Sequence, residues 1–290
     1  MSMNKRVYEQ KIIDPQDFNT MVSKLRGFFM QENYLETYPQ PRLSIMAACE
    51  DPKTVRSFIF GGQDWPLAQT NQMWLEHDIL KYNAEGVYCL TTSYRDEPNP
   101  IEGRHDKIFP MFEFEHKGDY QDLLKTLSEL SVHMGFVKSV EDIPMFTYDE
   151  LCEKYGVDSL EAEHETKMWE EYGDVVAITR FPERTSPFWN MKQEGENLIT
   201  GEKLYNKCDF IICGIETFGS AERESNVPQM RDSFHTISDG MYAKLLYNEF
   251  SKDRVEDELE DYLALNMFER YGGGIGLTRL LRAMKIKGLL

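Results

Sequence analysis

Apolar residues recur with helical spacing in several separate stretches of the chain. After Asp14, which can cap a helix, apolar side chains follow every three or four positions, at Phe18, Met21, Leu25, Phe28 and Phe29. This spacing predicts an amphipathic helix, because such residues share one face. Similar patterns predict further helices in the ranges 119–140, 148–174, 253–270 and 277–285, and the second of these reads as an acidic helical insertion.

Residues typical of strands stand between these predicted helices. β-branched and aromatic side chains predict strands from residue 34 toward Pro39 and over the ranges 87–94, 111–115, 175–179 and 208–213. The run DEPNPIEGRHD between two of these strands is rich in turn-forming residues. We therefore expect an antiparallel pair joined by a long loop, with the next helix packed on the sheet.

The length and composition fit one catalytic domain. The chain has 290 residues, 41% of them hydrophobic, without an internal repeat, so a single domain over 1–290 is the simplest division. It contains no run of eighteen apolar residues and no secretion-signal pattern, so we expect no membrane contact and no secretion. Five cysteines without a CxxC pair indicate reduced thiols in a cytoplasm. The formal charge of −18 argues against a large nucleic-acid surface.

The first candidate site is a run of polar residues on and between the two predicted antiparallel strands. Its members are Arg95, Glu97, Arg104, His105, Phe109, Glu113 and Glu115. Strand alternation puts the last two on one face of the sheet. Taken alone, the run is equally consistent with a solvated hairpin that carries charges and has no chemical role.

The second candidate is the glycine-rich run GGGIGLTRL at residues 272–280. Glycines let a backbone approach another surface closely, and Arg279 follows at the start of a predicted helix. The run lacks the lysine and the Ser/Thr of a phosphate-binding P-loop. By itself it is also consistent with a packing turn.

Together and in this order, the two runs resemble motifs 2 and 3 of class II aminoacyl-tRNA synthetases of the aspartate/asparagine branch. The resemblance implies an α+β fold, an antiparallel sheet flanked by helices, and the use of ATP and Mg²⁺. It implies that Arg95 binds the α-phosphate, that Phe109 stacks on adenine, and that Arg279 holds the γ-phosphate, roles that suit a guanidinium fork and an aromatic ring. The remaining residues of the predicted ATP site are Glu97, Arg104, His105, Glu216, Gly274 and Gly276, with His105 as a loop-positioning group.

Another segment resembles the strand and turn that carry the metal ligand in this branch. The run CDFIICGIETFGSAERES places Glu216 at the position of a magnesium-binding glutamate. A carboxylate suits this role, because Mg²⁺ prefers oxygen ligands and bridges phosphates. Seven residues later, Arg223 stands where the branch has an arginine that binds the amino acid.

Upstream segments resemble the rest of the amino-acid site. The loop with Glu50 resembles one whose glutamate meets the substrate ammonium group, and QTNQMWLE resembles the substrate-loop strand, with Gln72 as its glutamine. Leu75 and Glu76 follow the asparagine-specific pattern, where aspartate-specific enzymes have a lysine, and Glu113 completes the predicted substrate site. Alternatively, Glu50 and Glu76 are ordinary surface acids.

The helix from Asp14 and the strand ending at Pro39 resemble motif 1, which implies a homodimer, with Asn33 where the family usually has glycine. Fewer than twenty residues precede this motif, whereas an anticodon-binding domain needs on the order of a hundred. We therefore expect no anticodon-binding domain. We also expect that tRNA is not the acceptor, although recognition of its acceptor end alone stays open.

A bare core of this type and length is similar to archaeal asparagine synthetase-related proteins and shares its fold with bacterial ammonia-dependent asparagine synthetases. The runs EGRHDKIFPMFEFEHKG and SPFW look similar to the former, and GGGIG followed by Thr278 and arginine looks similar to the latter. The leading prediction is ATP-dependent conversion of aspartate and ammonia to asparagine through an adenylate, with AMP and pyrophosphate released. Arg95, Glu216 and Arg279 are the predicted catalytic residues, and Glu76 is the candidate ammonia site.

Two alternative functions stay open at this point. The first is a stand-alone enzyme that aminoacylates tRNA or another acceptor. The second is a catalytically silent paralogue with a binding role, although such a copy has no physical need to keep all three phosphate-site residues.

Overall fold

A large, mostly antiparallel sheet organises the protein, and the computed structural model describes residues 13–48 and 54–290. Within these described ranges, nine strands form the sheet, and a two-stranded hairpin lies outside it. The strands are β1 (Tyr34–Glu36), β2 (Ser57–Phe60), β3 (Gln63–Pro66), β4 (Gly86–Tyr94), β5 (Ile108–Lys117), β6 (Met145–Thr147), β7 (Val175–Pro182), β8 (Gln193–Glu196), β9 (Lys203–Ile212), β10 (Ile215–Arg223) and β11 (Arg270–Gly276).

The strand order in the large sheet is β1-β4-β5-β11-β10-β9-β7-β6, with β8 paired to β9. Parallel pairing occurs at the two ends, between β1 and β4 and between β6 and β7. The helices are α1 (Pro15–Gln31), α2 (Gln72–Tyr82), α3 (Tyr120–Met134), α4 (Tyr148–Tyr155), α5 (Ala162–Tyr172), α6 (Val227–Thr236), α7 (Met241–Phe250), α8 (Lys252–Leu263) and α9 (Leu277–Lys287). The predicted α+β fold with helices flanking an antiparallel sheet is confirmed.

Most of the predicted elements are present. Asp14 caps α1, and its Oδ1 accepts the backbone N–H of Gln16 at 2.8 Å. The strands predicted at 87–94 and 111–115 pair in antiparallel as β4 and β5, with Cys89 opposite Glu113. The acidic range 148–174 contains α4 and α5, which pack against β7 through a small apolar cluster.

Two predicted elements differ from the structure. The helix predicted over 253–270 ends at Leu263, because residues 264–269 cross to the sheet and Arg270 begins β11 opposite Lys117. The segment predicted as a strand at residues 69–76 contains no strand, because α2 begins at Gln72 with Asn71 as its cap. This helix begins where it does because the buried carboxylate of Glu113 accepts the backbone N–H of Asn71 at 2.9 Å, a group that a helix start leaves unpaired.

The sheet separates an apolar layer from a polar face. Phe112 and Phe114 of β5 are fully buried in a core formed with α1, α3 and α9. Because side chains alternate along a strand, Glu113 and Glu115 point to the opposite face. A second core, formed mainly by α2, α7 and α8, lies beside that polar face. Glu113 and Glu115, on the polar face of the sheet, therefore lie between two apolar cores.

At the start of β1, Asn33 has a φ of +64°. This left-handed conformation favours glycine, but asparagine tolerates it better than most residues. The replacement of the usual glycine by Asn33 is thus compatible with the predicted helix-to-strand turn. Over the described residues, every helix is too short or too polar to cross a bilayer.

Candidate active site

A cavity of about 600 Å³ opens on the polar face of the sheet. Residues from β5, β9, β10, β11, α2, α7 and α9 and from the loop between β4 and β5 contribute to its wall. It brings together most of the residues predicted from the sequence to bind ATP or substrate: Gln72, Arg95, Glu97, Arg104, His105, Phe109, Glu216, Arg223, Gly274, Gly276 and Arg279. These residues come from distant parts of the chain, so their convergence on one cavity favours a functional site over a solvated hairpin.

Arg95 and Phe109 form one end of this cavity. Arg95 follows β4, and its backbone N–H donates to the carbonyl of Lys107 at 2.8 Å, which closes the loop between β4 and β5. The guanidinium carbon of Arg95 lies 5.4 Å from the ring centroid of Phe109. Such a distance is within the range of a cation–π interaction. The pair therefore presents a cation beside a flat aromatic surface, as a nucleotide requires.

Arg279 connects the start of α9 to β10. Its Nη1 donates to the carbonyl of Glu216 at 2.8 Å and lies 3.7 Å from Oε2 of the same residue. Its Nε also donates to the carbonyl of Arg104 at 3.4 Å. Arg279 is therefore held by backbone carbonyls while its side chain still lines the cavity.

His105 is a neutral loop-forming residue rather than a cation. Its Nδ1 accepts the backbone N–H of Ile101 at 3.2 Å. Burial lowers its pKa from the ordinary value, and the positive charges of Arg279 and Arg104 lower it further, although Glu97 and Glu216 oppose them. The hydrogen bond to Ile101 lies within the loop between β4 and β5, and the loop-positioning role of His105 stays a prediction.

Asp209 was not selected from the sequence, and it lies beside Glu216. Both carboxylates approach Gly219, since a Cβ built there would lie 2.8 Å from Oε1 of Glu216 and 3.7 Å from Oδ1 of Asp209. Strand alternation in CDFIICGIE is the signal that could have found it, because Cys208 and Phe210 face the core.

The electrostatics of the two carboxylates differ. Burial raises the pKa of Asp209 to about 7, Lys207 at 2.8 Å opposes this, and Glu216 adds to it. Burial also acts to raise the pKa of Glu216, but the nearby cations, Arg279 first and then Lys207 and Arg95, outweigh it and leave the pKa below its ordinary value. Glu216 is therefore an ionised acceptor at neutral pH.

The pair fits a magnesium ion that also binds phosphate oxygens. Oδ1 of Asp209 is buried and has no hydrogen-bond partner within the described part of the chain. No group of three or more metal-ligating side chains occurs in that part. Mg²⁺ is commonly held by one or two carboxylates together with substrate phosphates and water, so two carboxylates are a sufficient protein contribution.

The amino-acid end of the predicted site is built from buried ion pairs. Arg223 in β10 lines the cavity and donates from Nη2 to Oε1 of Glu115 at 2.6 Å. Behind it, Arg270 donates from Nε to Oε2 of Glu76 at 2.8 Å. The Nε of Arg223 lies 3.9 Å from Oε1 of Glu76, which joins the two pairs into one cluster.

Two predicted substrate residues, Glu76 and Glu113, do not line the cavity. Glu76 is fully buried, is bound by Arg270, Asn190 and Tyr262, and does not line the cavity, so it is neither a surface acid nor an exposed ammonia site. Glu113 is also fully buried and accepts hydrogen bonds from the hydroxyl of Thr70 and the backbone of Asn71. Glu50 lies outside the described residues.

Other residues of the cavity wall carried no recognised signal in the sequence. They include Thr54, Thr185, Phe188, Met191, Lys207 and Tyr242. Phe188 belongs to the SPFW run, which was noted for resemblance but given no role. Apart from Lys207, which lies in β9, these residues reach the cavity on loops and helices whose placement depends on the complete fold.

Gly272 is required by the close approach of Glu115. A Cβ built at Gly272 would lie 2.1 Å from the carboxyl carbon of Glu115, whereas one at Gly276 would meet nothing nearer than 3.6 Å. We expect Gly272→Ala to lower the free energy of unfolding by about 1–3 kcal/mol, because the buried carboxylate and its pair with Arg223 must shift.

Urea titrations of both alanine variants measure this difference. Gly276→Ala is the matched control and should lower the free energy of unfolding by less than about 1 kcal/mol. Equal stability of the two variants would contradict the packing of Glu115 against Gly272.

Comparison with known protein families assigns the chain to one family. Residues 9–287 match the family model described as tRNA synthetases class II (D, K and N). Among curated proteins, the chain is 22% identical over 253 residues to an aspartate–tRNA(Asp/Asn) ligase of Methanopyrus kandleri, with 77% of this chain and 56% of the relative covered. It is 21% identical over 290 residues to an aspartate–tRNA(Asp) ligase of Pyrobaculum aerophilum, with 92% and 62% covered. The chain thus spans about three fifths of the length of these relatives.

Solved structures show the same fold. The asparaginyl-tRNA synthetase from Pyrococcus horikoshii complexed with asparaginyl-adenylate superposes with a TM-score of 0.73 at 21% identity, over 92% of this chain and 64% of that one. The asparaginyl-tRNA synthetase of Entamoeba histolytica, also with asparaginyl-adenylate, gives a TM-score of 0.73 at 18% identity, over 94% and 63%.

Proposed function

Because the chain belongs to the family of class II tRNA synthetases for D, K and N, we propose that it activates an amino acid with ATP, forming an aminoacyl adenylate and releasing pyrophosphate. The observation that carries this proposal is the single cavity lined by Arg95, Glu216, Arg279 and Arg223. Arg95 and Arg279 could bind phosphates, and Arg223 could bind the side chain of an amino acid. An enzyme that couples a nucleotide to an amino acid needs both kinds of group in one cavity.

The proposed reaction is an in-line attack of a substrate carboxylate on the α-phosphate of ATP. The attacking group is already ionised at neutral pH, so no residue has to remove a proton from it. Arg95 would bind the α-phosphate, Arg279 the γ-phosphate, and Phe109 the adenine ring. Catalysis would then arise from the positioning of the two substrates and from stabilisation of the charge that develops on the phosphates.

Magnesium would be held by Glu216 and Asp209. A magnesium ion held there would supply positive charge that offsets part of the negative charge of the nucleotide phosphates. The two carboxylates orient and retain the ion, and Lys207 limits the repulsion between them and the nucleotide phosphates. The buried Oδ1 of Asp209, which lacks a hydrogen-bond partner among the described residues, supports this role.

Aspartate is the amino acid that the buried cluster supports best. A carboxylate at Glu76 would repel an aspartate side chain, but Glu76 is paired with Arg270 and Glu115 is paired with Arg223. The two arginines therefore balance the two acids, and the cation Arg223 is the member that lines the cavity. The side-chain carboxylate of an aspartate substrate could therefore bind Arg223.

The activated amino acid could be transferred to tRNA or to ammonia. The two curated relatives are ligases of tRNA, which favours a synthetase-like enzyme over an ammonia ligase. The prediction of ammonia transfer also loses its candidate residue, because Glu76 is buried and fully engaged by protein groups. The formal charge of −18 disfavours an extended tRNA surface, so we propose that any tRNA contact is confined to its acceptor end.

A second copy of the chain is the proposed partner at the α1–β1 edge. Met30, Leu35 and Tyr38 are large apolar or aromatic residues that are exposed there, and β1 is an edge strand. Exposed apolar groups beside a strand edge favour association. A cytoplasmic location remains a prediction from the cysteine content.

ATP–pyrophosphate exchange tests the proposed function directly. We expect the purified protein with ATP and Mg²⁺ to exchange pyrophosphate in the presence of aspartate and without tRNA, and asparagine is the comparison substrate. In parallel reactions, asparagine and AMP are measured with added ammonium, and aminoacyl-tRNA and AMP are measured with added tRNA. Asparagine formed only with ammonium would restore the ammonia prediction, and absence of exchange with every amino acid would favour the silent paralogue.

A further inference from the structure

Helix α5 carries one carboxylate, that of Glu165, which contacts two residues of the cavity wall, Arg104 and Glu216. Oε2 of Glu165 accepts a hydrogen bond from Nη2 of Arg104 at 2.5 Å and a second from the backbone N–H of Glu216 at 2.8 Å. The side chains of Glu165 and Arg104 are 20% and 16% exposed, so this contact is largely shielded from water. A shielded, charge-assisted hydrogen bond is stronger and more directional than a surface ion pair.

The contact belongs to a network that spans the proposed phosphate site. Nη1 of Arg104 donates to the carbonyl of Gly214 at 3.2 Å, which fixes the second branch of the guanidinium. Arg279 donates to the carbonyl groups of both Arg104 and Glu216. Glu165 thus touches two of the residues that Arg279 touches, although it does not line the cavity itself.

Helix α5 is packed firmly against the rest of the protein, which holds Glu165 in place. His164 and Met168, on either side of it in the helix, are buried, and Nε1 of Trp169 donates to Oδ1 of Asp174 at 3.0 Å. Other acids of the same helix, such as Glu163 and Glu170, are exposed. One acidic residue of α5 therefore faces the site while its neighbours face solvent.

We propose that Glu165 is a positioning residue for ATP binding, which holds the guanidinium of Arg104 and the backbone of Glu216 in place before the nucleotide arrives. This inference rests on the proposed function. A free arginine side chain loses considerable rotameric freedom on binding a phosphate. A carboxylate that holds Arg104 in advance lowers that loss, which is the general benefit of preorganisation.

Glu165→Gln tests the role, with Glu170→Gln as the matched control. Both variants remove one negative charge from α5, but only the first changes a group that contacts Arg104. The glutamine keeps the shape of the side chain and loses the charge, and its amide nitrogen cannot accept a hydrogen bond. Dissociation constants for MgATP come from a fluorescence titration without amino acid, and KM values for ATP and for aspartate come from pyrophosphate exchange.

We expect Glu165→Gln to weaken MgATP binding by about tenfold, the loss of one hydrogen bond between charged groups. The KM for aspartate should stay within about twofold, and Glu170→Gln should match the wild type in both constants, as surface substitutions do. Unchanged MgATP affinity in Glu165→Gln, an equal loss in Glu170→Gln, or a parallel rise in both KM values with reduced thermal stability would each overturn the inference.

A double-mutant cycle with Arg104→Ala separates the two contacts of Glu165. If Glu165 acts through Arg104, Glu165→Gln should change MgATP affinity by less than about twofold in the Arg104→Ala background. Additive losses would show that Arg104 does not mediate the effect and would overturn the inference. Failure of the wild-type protein to bind MgATP is a different result, because it would remove the proposed function and this inference together.

Discussion

Replacing Arg95 with alanine is expected to lower the rate of ATP–pyrophosphate exchange by about 10²–10³-fold, the cost of removing a preorganised group that stabilises developing charge. Arg95 begins the loop after β4 and stands over Phe109 in the cavity. Its proposed ligand, the α-phosphate, is the group at which bonds form and break. The loss should therefore appear mainly in kcat, because the interaction is strongest in the transition state.

Arg231→Ala is the control for the loss of one arginine. Its guanidinium pairs with Glu260 on the surface and lies outside the cavity wall. This variant should exchange pyrophosphate at the wild-type rate. If Arg95→Ala exchanges pyrophosphate at more than about a tenth of the wild-type rate, the α-phosphate does not bind at Arg95. Loss of a contact made in the transition state should reduce the rate by more than that.

Replacing Arg270 with alanine is expected to lower the free energy of unfolding by about 3–5 kcal/mol, because it leaves a buried carboxylate without its cation. Arg270 and Glu76 are both fully buried, and Nη2 of Arg270 lies 2.6 Å from Oε2 of Glu76. Arg270 also donates to the hydroxyl of Tyr262 at 2.6 Å and to the carbonyl of Glu224 at 3.2 Å. Urea-induced unfolding, followed by circular dichroism, measures the loss.

Two further variants separate charge from packing. Arg26→Ala removes an exposed arginine that pairs with Glu36 and should cost less than about 1 kcal/mol. The double variant Arg270→Met with Glu76→Gln removes both charges and should be more stable than Arg270→Ala alone, because no unpaired charge remains in the interior. If the double variant were the less stable, the unpaired charge of Glu76 would not explain the loss in Arg270→Ala, because methionine also fills more of the vacated volume than alanine does.

The same cluster connects stability to the choice of substrate. Arg223 shares Glu115 and approaches Glu76, so loss of Arg270 leaves two acids to one arginine. The cluster behind the cavity wall would then carry a net negative charge, which would repel a substrate carboxylate. Stability and the binding of a substrate carboxylate therefore depend on the same buried charges.

The local pattern of the sequence was sufficient for most elements of the fold. The spacing of Phe18, Met21 and Leu25 predicted α1, since a 3.6-residue period requires little knowledge of the partner surface. The alternation of Phe112, Glu113, Phe114 and Glu115 predicted a strand with one apolar and one polar face. Where a local pattern continued past the true end of an element, as at Leu263, the prediction was too long.

Long-range pairing decided what the sequence could not. Glu76 resembles a substrate residue by position, yet it is bound by Arg270, which lies 194 positions away. Glu165 carried no sequence signal that singled it out among 50 acidic residues. Whether a carboxylate faces a ligand, a buried cation or water depends on which other strands and helices surround it.

The sequence by itself therefore determined the family resemblance, the strongly patterned helices and strands, and the set of residues from which an ATP site could be built. The tertiary structure alone decided which acids line the cavity, which are buried behind it, and which residue of α5 reaches Arg104. The physical reason is that secondary structure follows from interactions between neighbours along the chain, whereas the charge state and the role of an ionisable group follow from burial and from partners that only folding brings close.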